Sequence, residues 1–405
     1  MNDLNDINCF LKLGYYLNYY NDSIMFRFNN IDKSRYCLLS EHELINEGSL
    51  ILKEAISQNF RRKEAFVVPI SGGLDSRAII AGLLLNTEAK NIYTYTFGKK
   101  STYDYDIGNY VAKKLGTKHL RVPLEQYTYT TDELINISKS MNNQTILYHH
   151  PPFKLIAKVF GKTMIWSGFM GGELAGAHLK PTLSKDISII MEEFIKNNTY
   201  VRSLDLFEPG YTIKELSKQI TYDNSYNNQV TDYERIDFDN RQLKYIYPHL
   251  LVKGFDYVLP FMSENWFNFI MSVDNKFRRN CYLYKKILLK TFPYEFSLRT
   301  KTNFGLPLSS SRPMTYISRV KTVVSKYIRG YNLMINYLDF NHQIRENVKM
   351  REVFHENLVD LSKRRILYWL DIEKIWKDYL NNNGNYADAL IALLSLEIHI
   401  KAKGI

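Results

Sequence analysis

The sequence predicts an α/β fold, with a parallel sheet flanked by helices and a mainly helical C-terminal part. Between residues 44 and 167, short β-branched or aromatic runs alternate with segments of helical period. Such alternation is typical of a parallel sheet that is covered on both faces. Beyond about residue 180 the pattern becomes helical. The composition fits a globular protein, since 45% of the 405 residues are apolar and 23% are charged.

The first predicted unit surrounds a glycine-rich turn. Apolar residues recur at three- and four-residue spacing over 44–60, which predicts a helix. Residues 65–70, AFVVPI, form a short β-branched run, which predicts a buried strand. A second helix is predicted over 77–86, RAIIAGLLLN. The turn at 71–76, SGGLDS, therefore joins a strand to a helix.

The same alternation continues to residue 167 and then gives way to helices. Further strands and helices are predicted, in order, over 91–97 (strand), 106–115 (helix, ended by Gly116), 118–122 (strand), 131–141 (helix) and 163–167 (strand). Amphipathic helical segments fill 190–290 and 311–405, with a break at 381–385. The polar stretch 221–233 is predicted to be a mobile loop.

The composition limits the classes of function. Fifty-three Lys and Arg against 42 Asp and Glu give a net charge of +11, which suits nucleic acid, acidic lipid or a small anionic substrate. The cysteines Cys9, Cys37 and Cys281 form no CxxC pattern, which argues against a disulfide framework and structural zinc. The start lacks a signal-peptide pattern, and the apolar run 78–85 is too short to span a bilayer. We expect a cytoplasmic protein without a membrane partner.

The turn Ser71–Ser76 has the chemistry of a phosphate site. Two adjacent glycines let the main chain approach a ligand closely, and the following helix presents unpaired N–H groups to an anion. Because the carboxylate of Asp75 would repel a phosphate, a bridging Mg²⁺ is expected. The turn is not of the GxxxxGK[ST] type. The alternative is a plain turn capped by Ser and Asp.

SGGLDS after a first strand resembles the signature of the PP-loop ATP pyrophosphatases, whose fold is adenine nucleotide alpha hydrolase-like. Further segments resemble the synthetase domain of class B asparagine synthetases, in the family's order: 96–119, 166–178, 250–273, 283–293 and 299–307. Relatives include β-lactam synthetases and lasso-peptide cyclases. The resemblance divides the chain into an N-terminal arm (1–45), an ATP-binding domain (46–310) and a helical extension of that domain (311–405).

The resemblance implies an ATP-dependent, AMP-forming ligase. In that family a carboxylate attacks the α-phosphorus of ATP, pyrophosphate leaves, and an amine attacks the acyl-adenylate to give an amide and AMP. The implied partners are ATP, Mg²⁺, a carboxylate-bearing small molecule or peptide, and an amine donor or separate glutaminase. Two alternatives remain open: an ATP-binding partner protein without its own chemistry, and a tRNA-modifying PP-loop enzyme, although no RNA-binding motif supports a nucleic-acid partner.

The resemblance also assigns roles to individual residues. Asp75 would hold Mg²⁺, and Lys301 and Glu173 would complete the catalytic set. The ATP-binding positions would be Ser71, Gly72, Gly73, Leu74, Asp75, Ser76, Thr96, Phe97, Gly98, Gly168 and Lys285. Asp104 would be the acidic residue of the second strand–helix unit. For Lys301 the alternative is a solvated loop lysine, and for Lys285 a lysine on a helix surface.

Several positions depart from the family pattern. Phe169 stands where asparagine synthetases have a glutamate thought to accept a proton from the amine, and Gly172 replaces an aspartate. PFMSEN lacks the aspartate of PFLD, although Glu264 lies nearby. Asn2 stands where the class B nucleophile cysteine would be, and only about 45 residues precede the synthetase-like part, so we expect no glutamine hydrolysis. These departures weaken the case for asparagine as the product.

The remaining candidates are single residues or short charge runs. His178 is a candidate replacement base for the missing glutamate, whereas His119 and the pair His149–His150 are interpreted as structural. Cys281 is expected to be a small core residue. The basic runs 61–63 and 363–365 are interpreted as solvated surface.

Overall fold

The fold was described from a computed structural model of the chain. The structure describes residues 3–19, 26, 28–61, 65–161, 163–179, 184, 186–223, 230–329 and 332–404. A parallel five-stranded sheet has the order β3-β2-β1-β4-β5, and a separate antiparallel pair is formed by β6 and β7. The strands are β1 Phe66–Pro69, β2 Ile92–Gly98, β3 Lys118–Pro123, β4 Ile165–Trp166, β5 Tyr257–Val258, β6 Arg299–Thr300 and β7 Leu306–Pro307.

Helices cover the sheet and form the C-terminal part of the described chain. They are α1 Leu4–Leu13, α2 Glu41–Ser57, α3 Asp75–Leu84, α4 Tyr103–Leu115, α5 Thr131–Ser140, α6 Phe153–Phe160, α7 Gly171–Leu174, α8 Ile187–Asn198, α9 Ile213–Ser217, α10 Asp232–Ile236, α11 Tyr247–Leu250, α12 Glu264–Ser272, α13 Asn275–Arg278, α14 Tyr282–Thr291, α15 Pro293–Phe296, α16 Arg312–Arg329, α17 Phe340–Glu346, α18 Val348–Arg364, α19 Ile372–Leu380 and α20 Ala387–Ala402. A π-helix, Asp237–Ile246, joins α10 to α11.

The predicted α/β class with a helical C-terminal part is confirmed. Each predicted strand and helix up to residue 167 has a counterpart in β1 to β4 and α2 to α5. Gly116 ends α4 in the left-handed region, with φ 73°. The break at 381–385 separates α19 from α20. Helix α6, strand β5 and the π-helix were not predicted. Of the predicted loop 221–233, residues 224–229 lie outside the described residues, and the prediction is wrong for 232–233, which belong to α10.

Local sequence explains how α2 and α3 begin. At α2, the Ser40 side chain accepts from the Glu43 N–H, and the Glu43 carboxylate accepts in return from the Ser40 N–H, which forms a capping box. At α3, the residue before the helix is Leu74, and no side chain caps the first turn. The first N–H groups of α3 are therefore available to a ligand.

Apolar packing forms separate clusters around the sheet and in the C-terminal helices. One cluster joins the sheet to α2, α3, α12 and α14, with Trp166 and Trp266 among its buried members. A second joins α5 to α18, α19 and α20. Helix α1 belongs to the second cluster, where the Phe10 ring lies 5.2 Å from the His399 ring. The predicted arm 1–45 therefore includes a helix that packs on the C-terminal part.

Within the described part of the chain, no helix combines the length and apolar composition that a bilayer crossing requires.

Candidate active site

The site lies where the strand order of the sheet reverses. Strand β1 pairs with β2 on one side and with β4 on the other, so the chain crosses over β1 to continue the sheet. In open parallel sheets, ligands bind in the crevice outside the carboxyl ends of the strands at such a reversal. The turns that follow β1 and β4, residues 70–74 and 167–170, meet at this crevice.

A pocket of about 300 Å³ occupies the crevice. This volume falls within the range of small-molecule sites. Its lining includes seven of the predicted ATP-binding residues, Ser71, Gly73, Leu74, Asp75, Ser76, Phe97 and Gly168. Phe169, next to Gly168, also lines the pocket, and four further lining residues come from other segments: Asp104, Leu250, Asn336 and Tyr337. Gly72, Thr96, Gly98, Glu173, Lys285 and Lys301 are not part of the lining.

Gly72 allows the turn at 71–76, called the phosphate turn after its predicted role, to pack closely against two other segments. A Cβ atom at this position would lie 2.8 Å from the Tyr103 carbonyl oxygen and 2.9 Å from Lys301 Cβ. The Gly73 N–H donates to Ser71 Oγ at 3.2 Å, which closes the turn. The packing therefore requires glycine at position 72, although the residue itself lies behind the pocket wall.

Lys301 is held against the phosphate turn and reaches two pocket residues. Its main-chain N–H donates to the Gly72 carbonyl oxygen at 2.8 Å. Its ammonium donates to Asp104 Oδ2 at 2.5 Å and also to the Asn336 side-chain oxygen. The Lys301 ammonium therefore places a positive charge against two residues of the pocket lining.

Besides Asp104, which is paired with Lys301, the carboxylates Asp75 and Glu173 give the site negative charge. Asp75 Oδ1 accepts from the Tyr284 hydroxyl at 2.8 Å. Burial and the nearby charge of Glu173 raise the pKa of Asp75 to about 7, against the opposing hydrogen bonds from Tyr284 and the Gly172 main chain. Paired carboxylates that repel each other suit an oxygen-binding divalent cation. Among the described residues, no group of three or more His, Cys, Asp or Glu side chains is placed to hold a metal.

The turn after β4 wraps around Asp75. A Cβ atom at Gly171 would lie 2.5 Å from Asp75 Cγ, and one at Gly168 would lie 2.9 Å from Asp75 Cβ. At Gly172, in contrast, a Cβ atom would lie 3.7 Å from both Ala177 Cβ and Asp75 Oδ2, which is ordinary contact. Position 172 therefore has room for a side chain, whereas 168 and 171 do not.

Two of the predicted nucleotide residues, Thr96 and Gly98, contact the pocket from outside its lining, whereas Lys285 on α14 contacts no lining residue among its described hydrogen bonds. The buried Thr96 hydroxyl donates to the Ile70 carbonyl oxygen at 2.7 Å and so ties β2 to the phosphate turn. Gly98 has φ 138°, and a Cβ atom there would lie 3.1 Å from the Asn336 carbonyl oxygen. The Lys285 ammonium donates to the Asn280 carbonyl oxygen at 2.9 Å.

Two lining residues that the sequence did not indicate come from beyond α16. The Tyr337 ring stacks on the Phe97 ring, with centroids 6.0 Å apart, and also on His149, at 4.7 Å. Asn336 accepts from Lys301. Neither residue lies in a motif or at the end of a predicted strand, so no sequence signal pointed to them.

Phe169 in the pocket wall contacts Tyr247 of α11, while His178 pairs with Asp237 of the π-helix outside the pocket lining. The buried Phe169 ring lies 5.9 Å from the Tyr247 ring. His178 Nδ1 lies 3.1 Å from Oδ2 of the buried Asp237, which also accepts from Gln242 Nε2 at 2.9 Å. Burial lowers the pKa of His178, but the hydrogen bond and charge of Asp237, with the charge of Glu173, raise it overall. The predicted candidate base is therefore one member of a His–Asp pair.

The other histidines singled out in the sequence have structural partners. His119 lies between the Thr94 hydroxyl, at 2.8 Å from Nδ1, and the Asn109 side-chain oxygen, at 2.9 Å from Nε2. His150 Nε2 accepts from the Tyr148 main-chain N–H at 3.1 Å. His149 is packed between rings, beside Tyr337. These contacts agree with a structural role for all three.

The remaining sequence candidates are not part of the pocket lining, although Cys281 Sγ lies 3.5 Å from the Gly172 carbonyl oxygen. Cys281 is buried, as expected. Of the basic runs, residues 62–63 lie outside the described residues. Arg364 Nε donates to the buried Glu397 carboxylate at 2.7 Å, so this residue is not simply solvated.

The segment that contains most of the pocket residues matches a known protein family. Residues 49–182, about a third of the chain, match the family model described as asparagine synthase. This segment spans α2 to α7 with β1 to β4, and therefore includes the phosphate turn, Asp75 and Glu173. A search of curated proteins gave no match.

Proposed function

Since residues 49–182 form an asparagine synthetase-like synthetase domain, we propose that the protein is an ATP-dependent, AMP-forming ligase that joins a carboxylate to an amine. The observation that carries the proposal is the contact between Lys301 and the phosphate turn. It brings a cation, the uncapped N-terminus of α3 and the Asp75–Glu173 pair to one crevice. These are complementary to a triphosphate with a divalent cation.

Different residues at the pocket are proposed to bind different parts of ATP and its Mg²⁺. Ser71, Gly73 and Ser76 would bind phosphate oxygens, and Phe97 and Tyr337 supply aromatic surface for the adenine. Asp75 and Glu173 would hold Mg²⁺, which would neutralise charge on the triphosphate when bound. The Lys301 ammonium would exchange its contact with Asp104 for the departing pyrophosphate and so stabilise the charge that develops there.

The proposed reaction has two half-reactions. An oxygen of the acid attacks the α-phosphorus, the bond to the bridging oxygen of pyrophosphate breaks, and an acyl-adenylate forms. The amine nitrogen then attacks the carbonyl carbon, AMP leaves with the electrons of the C–O bond, and one amine proton is released. The buried apolar Phe169 cannot take that proton. His178, oriented by Asp237, is the base that we propose for this step.

The acid substrate is proposed to be larger than aspartate. Phe169 and Leu250 give the pocket an apolar side beside the carboxylates, and Gly172 leaves space where a side chain could stand. Arg241 on the π-helix is half-buried, lies 6.0 Å from the Tyr245 ring, and helps by its charge to lower the pKa of Asp237. This cation is a candidate to bind a second acidic group of such a substrate.

The reaction products test the proposal. The protein would be incubated with ATP, Mg²⁺ and a panel of amino acids and short peptides, and AMP and pyrophosphate would be quantified. We expect equimolar AMP and pyrophosphate that depend on one class of acid. Magnesium-dependent ATP binding without any turnover would support the alternative of an ATP-binding partner protein, which Phe169 and Gly172 favour. Turnover that requires tRNA would support the RNA-modifying alternative.

A further inference from the structure

Helix α16 is amphipathic, but its polar face packs on the protein and its apolar face points to solvent. Its side chains that are not exposed are Thr315, Ser318, Thr322 and Ser325, which recur at three- and four-residue spacing and so share one face. Its exposed residues include Met314, Tyr316, Ile317, Val320, Val323, Val324, Tyr327 and Ile328. An ordinary surface helix turns its apolar side toward the core.

Hydrogen bonds hold the hydroxyl face of α16 against the protein. The Ser318 hydroxyl donates to the Phe304 carbonyl oxygen at 2.7 Å, and the Thr322 and Tyr103 hydroxyls lie 2.8 Å apart. The outward direction of the apolar face is therefore fixed by contacts with described residues. Tyr327 and Ile328 are 78% and 77% exposed, so the apolar face is open to solvent along its length. Contiguous apolar surface of this kind marks an interaction site.

The charge of α16 restricts what can cover it. The helix sequence contains Arg312, Arg319, Lys321, Lys326 and Arg329, and no Asp or Glu occurs between residues 312 and 329. On a helical projection, Arg319 and Lys326 border one side of the apolar face, and Lys321 borders the other. A second copy of the chain would bring the same cations against themselves. The charge is complementary to an anionic surface.

We propose that α16 docks on an anionic lipid surface, with its axis along the membrane plane and its apolar face among the outer acyl chains. Such helices combine a strong apolar face with a cationic flank and a modest overall hydrophobicity. The helix is about 27 Å long and projects a single convex apolar face, which a flat bilayer can cover without a shaped groove. The lysine and arginine stems would extend along that face and carry their charges to lipid phosphates. This proposal departs from the sequence-based expectation of no membrane partner.

The position of α16 connects this surface to the pocket. The helix lies in the chain between Lys301 and Asn336, whose side chains contact each other at the pocket. The Tyr103 hydroxyl bonds to Thr322 on the packed face of α16, and the Tyr103 main-chain carbonyl oxygen lies beside Gly72. Docking at α16 would therefore take place next to the nucleotide site and could present that site to a substrate held at a membrane.

Vesicle flotation tests the proposal with the full chain. Vesicles of equal parts phosphatidylglycerol and phosphatidylcholine would be compared with vesicles of phosphatidylcholine alone. We expect the protein to float with the anionic vesicles and not with the neutral ones, and to dissociate as salt is raised. No nucleotide or substrate is added, so the outcome is independent of the proposed ligase activity.

Two double variants separate the apolar and electrostatic contributions. One variant removes apolar side chains from the face, at two positions seven residues apart: Ile317→Ser with Val324→Ser. The other reverses the charge of the basic border, also at positions seven residues apart: Arg319→Glu with Lys326→Glu. We expect each pair to weaken anionic-vesicle binding by about tenfold or more. Because all four positions are exposed, the melting temperature should stay at the wild-type value.

The matched control changes exposed apolar residues elsewhere, Leu38→Ser with Tyr368→Ser, and should bind as the wild type does. The proposal is overturned if the wild type does not bind anionic vesicles, or binds neutral vesicles equally well. It is also overturned if the α16 variants bind as tightly as the control. Dissociation of a wild-type oligomer by the apolar pair, without vesicle binding, would instead identify the face as a contact between protein chains.

Discussion

The main-chain N–H of Lys301 donates a 2.8 Å hydrogen bond to the carbonyl oxygen of Gly72. This bond joins the loop between β6 and β7 to the phosphate turn after β1, two segments that are distant in the chain. It fixes the position from which the Lys301 side chain reaches Asp104 and Asn336. The geometry of the pocket therefore depends on close packing at Gly72 as well as on the lysine charge.

Substitution of Gly72 by alanine should disturb this contact. The added Cβ would meet the Tyr103 carbonyl oxygen at 2.8 Å and Lys301 Cβ at 2.9 Å, so main-chain segments must separate. We expect a loss of about 1–3 kcal/mol in unfolding free energy and at least about tenfold weaker binding of ATP. Urea unfolding and calorimetry with ATP and Mg²⁺ measure the two effects. Gly172→Ala is the stability control because its Cβ has room, and equal destabilisation by both variants would contradict the packing argument.

Removal of the Lys301 charge should affect chemistry more than folding. In Lys301→Met the ammonium that faces Asp104 and Asn336 is lost, and with it the proposed stabilisation of departing pyrophosphate. We expect acid-dependent ATP–pyrophosphate exchange to fall by about a hundredfold or more. Lys301→Arg should retain part of the activity, and Lys363→Met, at an exposed lysine, should retain all of it. Normal exchange in Lys301→Met would remove this lysine from the mechanism.

An aspartate at position 172 should strengthen cation binding. Its Cβ would lie 3.7 Å from Asp75 Oδ2 without a clash, and a third carboxylate would join Asp75 and Glu173. We expect Gly172→Asp to lower the melting temperature without metal, through repulsion, and to raise Mg²⁺ affinity by about tenfold. Gly172→Asn supplies the same shape without the charge. The same response to Mg²⁺ in both variants would show that the added carboxylate does not reach the ion.

Substitution of His178 should separate the two half-reactions. If this residue accepts the amine proton, His178→Gln should lower amide formation by about a hundredfold and leave ATP–pyrophosphate exchange near the wild-type rate. Asp237→Asn should have a similar but smaller effect because it disturbs the orientation of the imidazole. The exposed His342→Gln serves as the control. A parallel loss of both half-reactions would indicate a structural role for the pair.

Stability should fall as the solution becomes acidic, because several histidines are buried in the neutral form. Burial lowers the pKa of His399 to about 3, and His399 bonds to the Ser138 hydroxyl and the Thr145 carbonyl oxygen. Between its folded pKa and the ordinary value of about 6.5, the unfolded state binds more protons, so stability decreases as pH falls through about 6.5. At a pH of about 5 this single group lowers the unfolding free energy by about 2 kcal/mol.

Urea unfolding at pH values of about 7.5 and 5 measures that loss. His399→Gln should be less stable than the wild type at the higher pH, by about 1–3 kcal/mol, because buried hydrogen bonds are lost. Its stability should then depend less on pH than that of the wild type. An unchanged pH dependence would show that His399 does not contribute, and His355→Gln, at an exposed histidine, provides the baseline.

The order of helices and strands up to residue 167 was predictable because it is encoded locally. The β-branched run before Ser71 and the helical period after it are properties of neighbouring residues, and the structure has β1 and α3 at these places. Strand β5 was missed because it consists of two residues, Tyr257–Val258, too few to give a periodic signal. The π-helix was missed because its hydrogen-bond pattern has no distinct sequence period.

The site was only partly predictable. Ser71, Gly73 and Asp75 are adjacent in the chain, so one motif indicated all three, and they line the pocket together. Asn336 and Tyr337 reach the same pocket from a segment beyond α16, and no local pattern distinguishes them from other residues of the helical part. Their position depends on how the C-terminal part packs against the sheet.

By itself, the sequence determined the α/β unit and its phosphate turn, because helical period, β-branched runs and paired glycines act over a few residues. Only the tertiary structure decided which distant side chains meet at Lys301 and which face of α16 points outward. An amphipathic pattern identifies an apolar side but not what lies against it. That depends on the surface against which the helix packs, and here Ser318 and Thr322 bond to the protein while the apolar face remains exposed.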